Sequence, residues 1–203
     1  GHTLDHLDKL EQMKEHLAYV LKPDGEYPII SDSTNDVHMD VEDDFENEYF
    51  KYVLTQGEEG EKPEQVSMVY EDAGAAIFRD EWKTGNNFKD STYFYFQAGF
   101  HNMTHKHADD LSFVLYSMGE DIFVNSGKYS YKDPDFRDYF ISSLSKNTAT
   151  VNGESYELNE EDATGSFITD WATKEEYDWV RGQHNLYEDT TITRDVIFIK
   201  PNV

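Results

Sequence analysis

The chain has 203 residues, and its 14 Tyr, 13 Phe and 3 Trp among 37% hydrophobic residues supply ample material for a core. Lys and Arg number 17 against 42 Asp and Glu, a formal charge of -25, which excludes bulk attraction to nucleic acid or to an anionic membrane because the field repels phosphate. With no Cys, disulfides and thiolate metal sites are excluded, and no run of about 18 apolar residues is present to span a bilayer.

Leu4, Leu7, Leu10, Met13, Leu17 and Val20 recur at steps of three and four, the period of an amphipathic helix over residues 4–21. Thr3 is its expected N-cap, and Pro23-Asp24-Gly25 stops it. "GEYPIISDSTND" is loop-like. Asp43 to Gly57 is expected to form a second helix, with acids favourable at its N-terminus and Gly57 as its C-cap. The acids from Asp40 to Glu48 read as a solvated helix face, or as oxygens for calcium.

"GEEGEKPEQ", Gly57 to Gln65, is the best candidate linker, and residues 58–65 are assigned to it. Beyond it the texture changes. "VSMVYED", "AAIFRDEW", "TYFYFQAG", "LSFVLYSM", "DIFVNSG", "NTATVNG", "GSFITDWAT", "YDWVRG" and "TTITRDVIFI" are short, aromatic or β-branched, and punctuated by Gly, Asn and Asp. That spacing predicts an antiparallel β-sandwich over residues 66–203. The chain opens in a helix and stops at "IFIKPNV", in the manner of a strand cut short, so the expectation is a segment of a longer protein. No signal peptide is visible in it.

The segment "FHNMTHKHADDLSF", Phe100 to Phe113, gathers three histidines where a strand is expected to begin. On a strand His105 and His107 share a face with Leu111 and Phe113, and H-x-H is a common way to offer two imidazoles to one metal. The plainer reading is a chance clustering on a solvated loop. A cupin barrel is a distant alternative: Gly99, His105, His107 and Gly119 fit its spacing, but Leu111 and Ser112 stand where it needs a glutamate.

A second resemblance covers far more chain. "HKHADDLSFVLYSMGEDIFVNSGKYSY" and "RDYFISSLSKNTATVNG" resemble the C-terminal part of the heparinase II/III-like polysaccharide lyases, which show H-x-H-x-D before a strand, Asp-x-Gly-x-Tyr, R-x-Y and His-Asn-Thr. "YEDAGAAIFRDEW", "DSTYFYFQAGFHN", "PDGEYPIISDS" and "GQHNLYEDTTITRDVIFIKP" look like further parts of the same region, in the right order. The resemblance implies a mainly β chain: residues 1–57 are the last helices of an α/α toroid and its connecting loop, and residues 66–203 an antiparallel β-sandwich truncated at its C-terminus. It implies an extracellular or periplasmic bacterial enzyme that cleaves uronic-acid glycans by β-elimination, an acidic polysaccharide as partner, and no nucleic acid or membrane. The oligomeric state is left open.

β-Elimination needs a neutraliser for the C5 carboxylate, a base for the C5 proton and an acid for the departing oxygen. His105 matches the family's sandwich histidine and is the expected acid/base or neutralising group. The partners from the toroid have no counterpart, so the chain alone is expected to be inactive. His107 matches a zinc ligand of the family, but the other two ligands read Asn125 and Lys146, a neutral amide and an ammonium. No cofactor is therefore expected, with zinc at His107 as the lesser alternative, and Lys146 is expected to take the cation's place, bonded to Asn125 or a nearby carboxylate.

Lys106 and Lys128 are candidates for a cationic rim that binds substrate, against the plainer reading of surface lysines. Arg137 is a candidate to hold a substrate carboxylate in bidentate fashion, or to anchor the turn. Tyr129, Tyr131 and Tyr139 read as core or interface residues, with sugar stacking open to one of them. His184 reads as structural and His101 has no assigned role. The alternative from another class is a non-catalytic carbohydrate-binding or scaffolding sandwich in which activity has decayed.

Overall fold

The structure, a computed structural model, describes residues 2–34 and 47–201. Helix α1 (His2–Val20) and the short α2 (Glu48–Leu54) precede eight strands in two antiparallel sheets. One sheet has the order β1 (Met68–Tyr70), β2 (Ala75–Arg79), β3 (Tyr93–Gln97), β4 (Phe113–Ser117), β5 (Glu120–Phe123). The other has the order β6 (Ser166–Thr173), β7 (Tyr177–Tyr187), β8 (Thr190–Ile199). Helix α3 (Pro134–Ile141) lies between them in sequence. The expected β-sandwich is present.

The five-stranded sheet is covered on both faces, which explains why its middle strands read as continuous apolar runs rather than as alternating ones. Strand β2 is buried at all five positions. Successive side chains still part to opposite faces. Ile77, Tyr93, Val114 and Tyr116 pack with Ala18, Tyr19, Leu21, Phe50 and Val53 of the helical segments. Phe78, Phe94 and Phe96 pack instead with Leu111, Ile168 and Val180 beneath the three-stranded sheet. Gly182 on β7 makes this close approach possible, because a Cβ there would sit 2.6 Å from Leu111 and 2.8 Å from Phe96.

Arg79 joins the helices to the sheet. Only 1% exposed, its guanidinium lies 4.2 Å from the Trp82 ring and 4.7 Å from that of Tyr93. It donates to the Tyr19 carbonyl at 3.1 Å and to that of Leu21, while the Tyr93 hydroxyl donates to the Val20 carbonyl at 2.8 Å. These are the orphan carbonyls of the α1 C-terminus, where a cation also meets the negative end of the helix dipole.

Several local expectations are revised. Thr3 lies inside α1 rather than capping it. Met13 is 62% exposed, whereas Leu17 and Val20 pack inward; the side chains of Leu4, Leu7 and Leu10 lie outside the described residues. Helix α2 starts after Asn47, whose side chain caps Phe50 N–H, and Asp40 to Glu46 fall outside the described residues. Its end is a Schellman turn: Gly57 N–H reaches the Tyr52 carbonyl at 2.8 Å and Gln56, at φ 55°, holds the left-handed position. "NTATVNG" forms no strand, only a bridge between Val151 and Glu154. Residues 58–65 are tied down, with Glu61 N–H on the Glu48 carbonyl and the Trp82 indole on that of Gln65.

Candidate active site

His105 and His107 do not lie on a strand. Residues 99–112 form turns ahead of β4, and His105 sits at φ 57°, a left-handed conformation that histidine tolerates better than most residues. The Asn102 side chain accepts the Thr104 N–H at 2.8 Å and starts the turn. The two imidazoles nonetheless converge, because one carboxylate gathers them. Asp32, from the loop after α1, takes His105 Nδ1 on one oxygen at 2.7 Å and His107 Nε2 on the other at 2.8 Å.

That loop is fixed from several sides. Ser31, at φ 49°, donates its hydroxyl to Asp109 at 3.0 Å. Ser33 Oγ accepts the Ile30 N–H at 2.7 Å. Two further donors reach Asp32: the Tyr131 hydroxyl at 2.6 Å and the Arg137 guanidinium at 3.2 and 3.3 Å, one nitrogen on each oxygen. Arg137 projects from α3, which Asp133 caps and Pro134 opens. Burial pushes the Asp32 carboxyl up, but the hydrogen bonds from Tyr131, His107, His105 and Arg137 outweigh it and hold the group well below the usual carboxylate range.

An anionic Asp32 accepts hydrogen bonds only, so it orients both rings. His105 turns Nδ1–H to Asp32 and leaves Nε2 for a ligand, with its side chain 63% exposed. The ring lines a cleft of about 520 Å³ with Ser31, His101, Asn102, Thr104, Lys128 and Tyr131. This pairing of a buried carboxylate with an exposed imidazole suits general acid–base chemistry.

His107 is fully buried. Its Nδ1 lies 3.1 Å from the Lys146 ammonium, which also reaches Asn125 Oδ1 at 2.8 Å, Ser126 Oγ at 2.9 Å and the Gly127 carbonyl at 3.4 Å. Burial pushes Lys146 down to about 8, against the pull of Asp109 and Asp32. Burial likewise lowers His107, with the Lys146 charge adding to it and the Asp32 hydrogen bond opposing it. These residues do not fit a zinc ion: both ring nitrogens of His107 are engaged, and a hydrogen-bond donor stands among the would-be ligands. Among the described residues no group of three His, Asp or Glu side chains is arranged to hold a metal.

The other expected binding residues are placed unequally. Lys106 lines the cleft, but its side chain is 5% exposed and its ammonium is bound to Asp110 at 2.8 Å and Asp109 at 3.2 Å. It is thus an internal ion pair and not a free rim cation. The Arg137 fork is committed to Asp32 and the Lys128 carbonyl, so it anchors the turn and is not left to grip a ligand carboxylate. Lys128 has no carboxylate partner among the described residues and lies 5.1 Å over the Tyr131 ring. Tyr129, Tyr131 and Tyr139 are all more than half exposed, so none belongs to the core. His184 is buried against Tyr156 and Tyr187, its Nδ1 accepting the Leu186 N–H.

The family model described as heparinase II/III-like, C-terminal matches residues 63–203. The chain belongs to the heparinase II/III-like family. A heparin-sulfate lyase from Bacteroides stercoris is 26% identical to it over 207 residues, covering 96% of this chain and 30% of that protein. A heparinase III gene product superposes with a TM-score of 0.82 at 23% identity, over 97% of this chain and 31% of its own. Heparan sulfate lyase HepC from Pedobacter heparinus gives 0.81 at 19% identity, over 97% and 31%. At those identities the two structures establish the fold. The chain spans about 30% of the length of the relatives it matches. Among the described residues no helix is long and apolar enough to cross a membrane.

Proposed function

We propose that this heparinase II/III-like chain is the C-terminal part of a polysaccharide lyase that cleaves uronic-acid glycans by β-elimination. Residues 66–203 form its sandwich, residues 1–57 the end of a toroid, and 58–65 the join between them. The enzyme works outside the cytoplasm, in the periplasm or beyond the cell, of a bacterium. His105 takes the C5 proton through Nε2, and Lys128 is the cation that meets the anionic glycan. The neutraliser of the C5 carboxylate and the proton donor to the leaving oxygen come from the toroid.

The observation that carries this reading is the pairing of exposed His105 with buried Asp32 at 2.7 Å, at the edge of a cleft of about 520 Å³. With Nδ1 bound to a carboxylate, Nε2 is the atom available for proton transfer. Support also comes from the company the chain keeps, since the relatives named above are heparin and heparan sulfate lyases.

The test uses the full-length protein that carries this chain, with a panel of uronate polysaccharides and ultraviolet detection of the unsaturated product. His105→Ala is expected to lower turnover by about 10²-fold or more. Turnover unchanged in that variant would remove His105 from the mechanism. Binding of the glycans with no product in either protein would favour the non-catalytic sandwich.

A further inference from the structure

We propose that Lys146 is a positioning residue for His105: its ammonium fixes which nitrogen of His107 carries the proton, and the His107 Nε2–H in turn holds Asp32 in the place from which it orients His105. The proposal deepens the lyase reading and rests on it only for the role of His105.

The argument follows the donors. A lysine ammonium has three N–H donors and no lone pair. Asn125 Oδ1 at 2.8 Å and Ser126 Oγ at 2.9 Å occupy two of them. Of the two acceptors left for the third, His107 Nδ1 at 3.1 Å is nearer than the Gly127 carbonyl at 3.4 Å and takes it, so that nitrogen holds a lone pair. Neutral His107 then carries its hydrogen on Nε2, which donates to Asp32 Oδ1 at 2.8 Å. The opposite tautomer would set N–H against N–H at Lys146, and a lone pair against an anion at Asp32.

With one oxygen of Asp32 so engaged, the other accepts from His105 Nδ1 at 2.7 Å and from the Tyr131 hydroxyl at 2.6 Å. The links from Lys146 to Asp32 therefore run donor to acceptor in one sense, and His105 donates to the same carboxylate from the other side, which leaves its Nε2 bare. An internal cation thus does at this position what a bound metal ion does when it holds one ring nitrogen and fixes the tautomer of the other. The sequence difference that argues against a metal becomes the device that orients the site.

The experiment is nitrogen-15 spectroscopy of the imidazoles in this chain at neutral pH, which needs neither substrate nor turnover. His107 is expected to show Nε2 protonated and Nδ1 bare, and neutral His105 the reverse. Protonation of His107 at Nδ1 would overturn the proposal. In Lys146→Met the ring signals of both His107 and His105 are expected to move, while those of buried His184 stay in place and report an intact fold. Movement of His107 without His105 would break the coupling and sink the idea. If that variant does not fold, the wild-type spectrum decides alone. One equivalent of zinc added to the wild-type chain is expected to leave the His107 signals unchanged, and a stoichiometric shift would refute the assignment of Lys146 as the resident cation. A failed lyase assay would leave these spectra standing, so the two readings fail separately.

Discussion

Lys106 and Lys146 are both buried at the same site, and they are held there in opposite ways. Lys106 faces two carboxylates, Asp110 at 2.8 Å and Asp109 at 3.2 Å, four and three residues along the chain. Burial works against its charge, yet those two acids outweigh burial and raise it above its ordinary value. Lys146 touches only neutral acceptors, drawn from the segment 125–127 and from His107, and burial lowers it to about 8. One lysine completes a local ion pair. The other holds together segments far apart in sequence, at a cost of about 3 kcal/mol to stay charged. A cation kept against that cost is better explained by what it orients than by the stability it adds.

The contrast breaks most sharply at Lys106. Lys106→Met leaves Asp109 and Asp110 buried without their cation, and Asp110 already has one oxygen with no hydrogen-bond partner. A loss of about 3–5 kcal/mol is expected in urea unfolding, as for other buried pairs deprived of one partner. A loss below about 1 kcal/mol would mean that the acids release their charge some other way, and Lys106 would return to the list of ligand-binding residues.

Asp32 comes next, because it is where both arrangements meet. Asp32→Asn keeps the shape of the side chain but replaces an acceptor-only anion by an amide, so His105 and His107 no longer face the same charge. Turnover of the full-length protein is expected to fall about 10²-fold, equivalent to about 2.7 kcal/mol in the barrier. The tautomer of His105 in the imidazole spectrum should become mixed. Full turnover with Asn at this position would show that the dyad does not orient the base.

The lysines also separate by pH. Burial holds Lys146 at about 8 in the folded chain against the ordinary lysine value of 10.5, so between those limits the unfolded chain binds more protons than the folded one. By linkage, this group makes stability rise as pH climbs from about 8 to 10.5. The difference between wild type and Lys146→Met, measured by urea unfolding at several pH values, should show that rise. A difference curve flat across the window would mean that Lys146 is not desolvated as its neighbours imply.

Much of the fold was legible because burial writes itself into residue type. "AAIFR" and "YFYFQ" read as strands, and their lack of alternation is the mark of a sheet covered on both sides. The site was legible only in part. His105, His107, Asn125 and Lys146 stood out by their spacing, but the strand expected under the histidines is a turn. Asp32 gave no signal, since an aspartate in "IISDS", within a polar stretch after a helix, looks like any loop acid. It lies 73 residues from His105, and only the three-dimensional fold makes it the hub. Helix α3 had a usable signal in Asp133-Pro134, an N-cap followed by proline at the first helical position. Between the readings open to Lys106 and Arg137 the residues alone could not choose, for one reason: a charge in sequence says nothing about whether its counter-charge is already inside.

Lys128 supplies the last and smallest test, as the third lysine of the site. It is half-buried, lies 5.1 Å over the Tyr131 ring and has no carboxylate partner among the described residues. Folding gains little from such a group; a cation over an exposed ring contributes about 0.5–1 kcal/mol. Lys128→Ala should therefore change unfolding free energy by less than about 1 kcal/mol, where Lys106→Met changes it several-fold more. Its effect belongs to the ligand: in a chain of charge -25, an anionic glycan approaches against the field, and the cation left unpaired at the cleft offsets that repulsion locally. KM for an acidic glycan in the full-length protein should rise several-fold with kcat little changed, and the rise should shrink as salt screens the charge. An equal loss of kcat, insensitive to salt, would place Lys128 with His105 and Asp32 in the chemistry rather than in recognition.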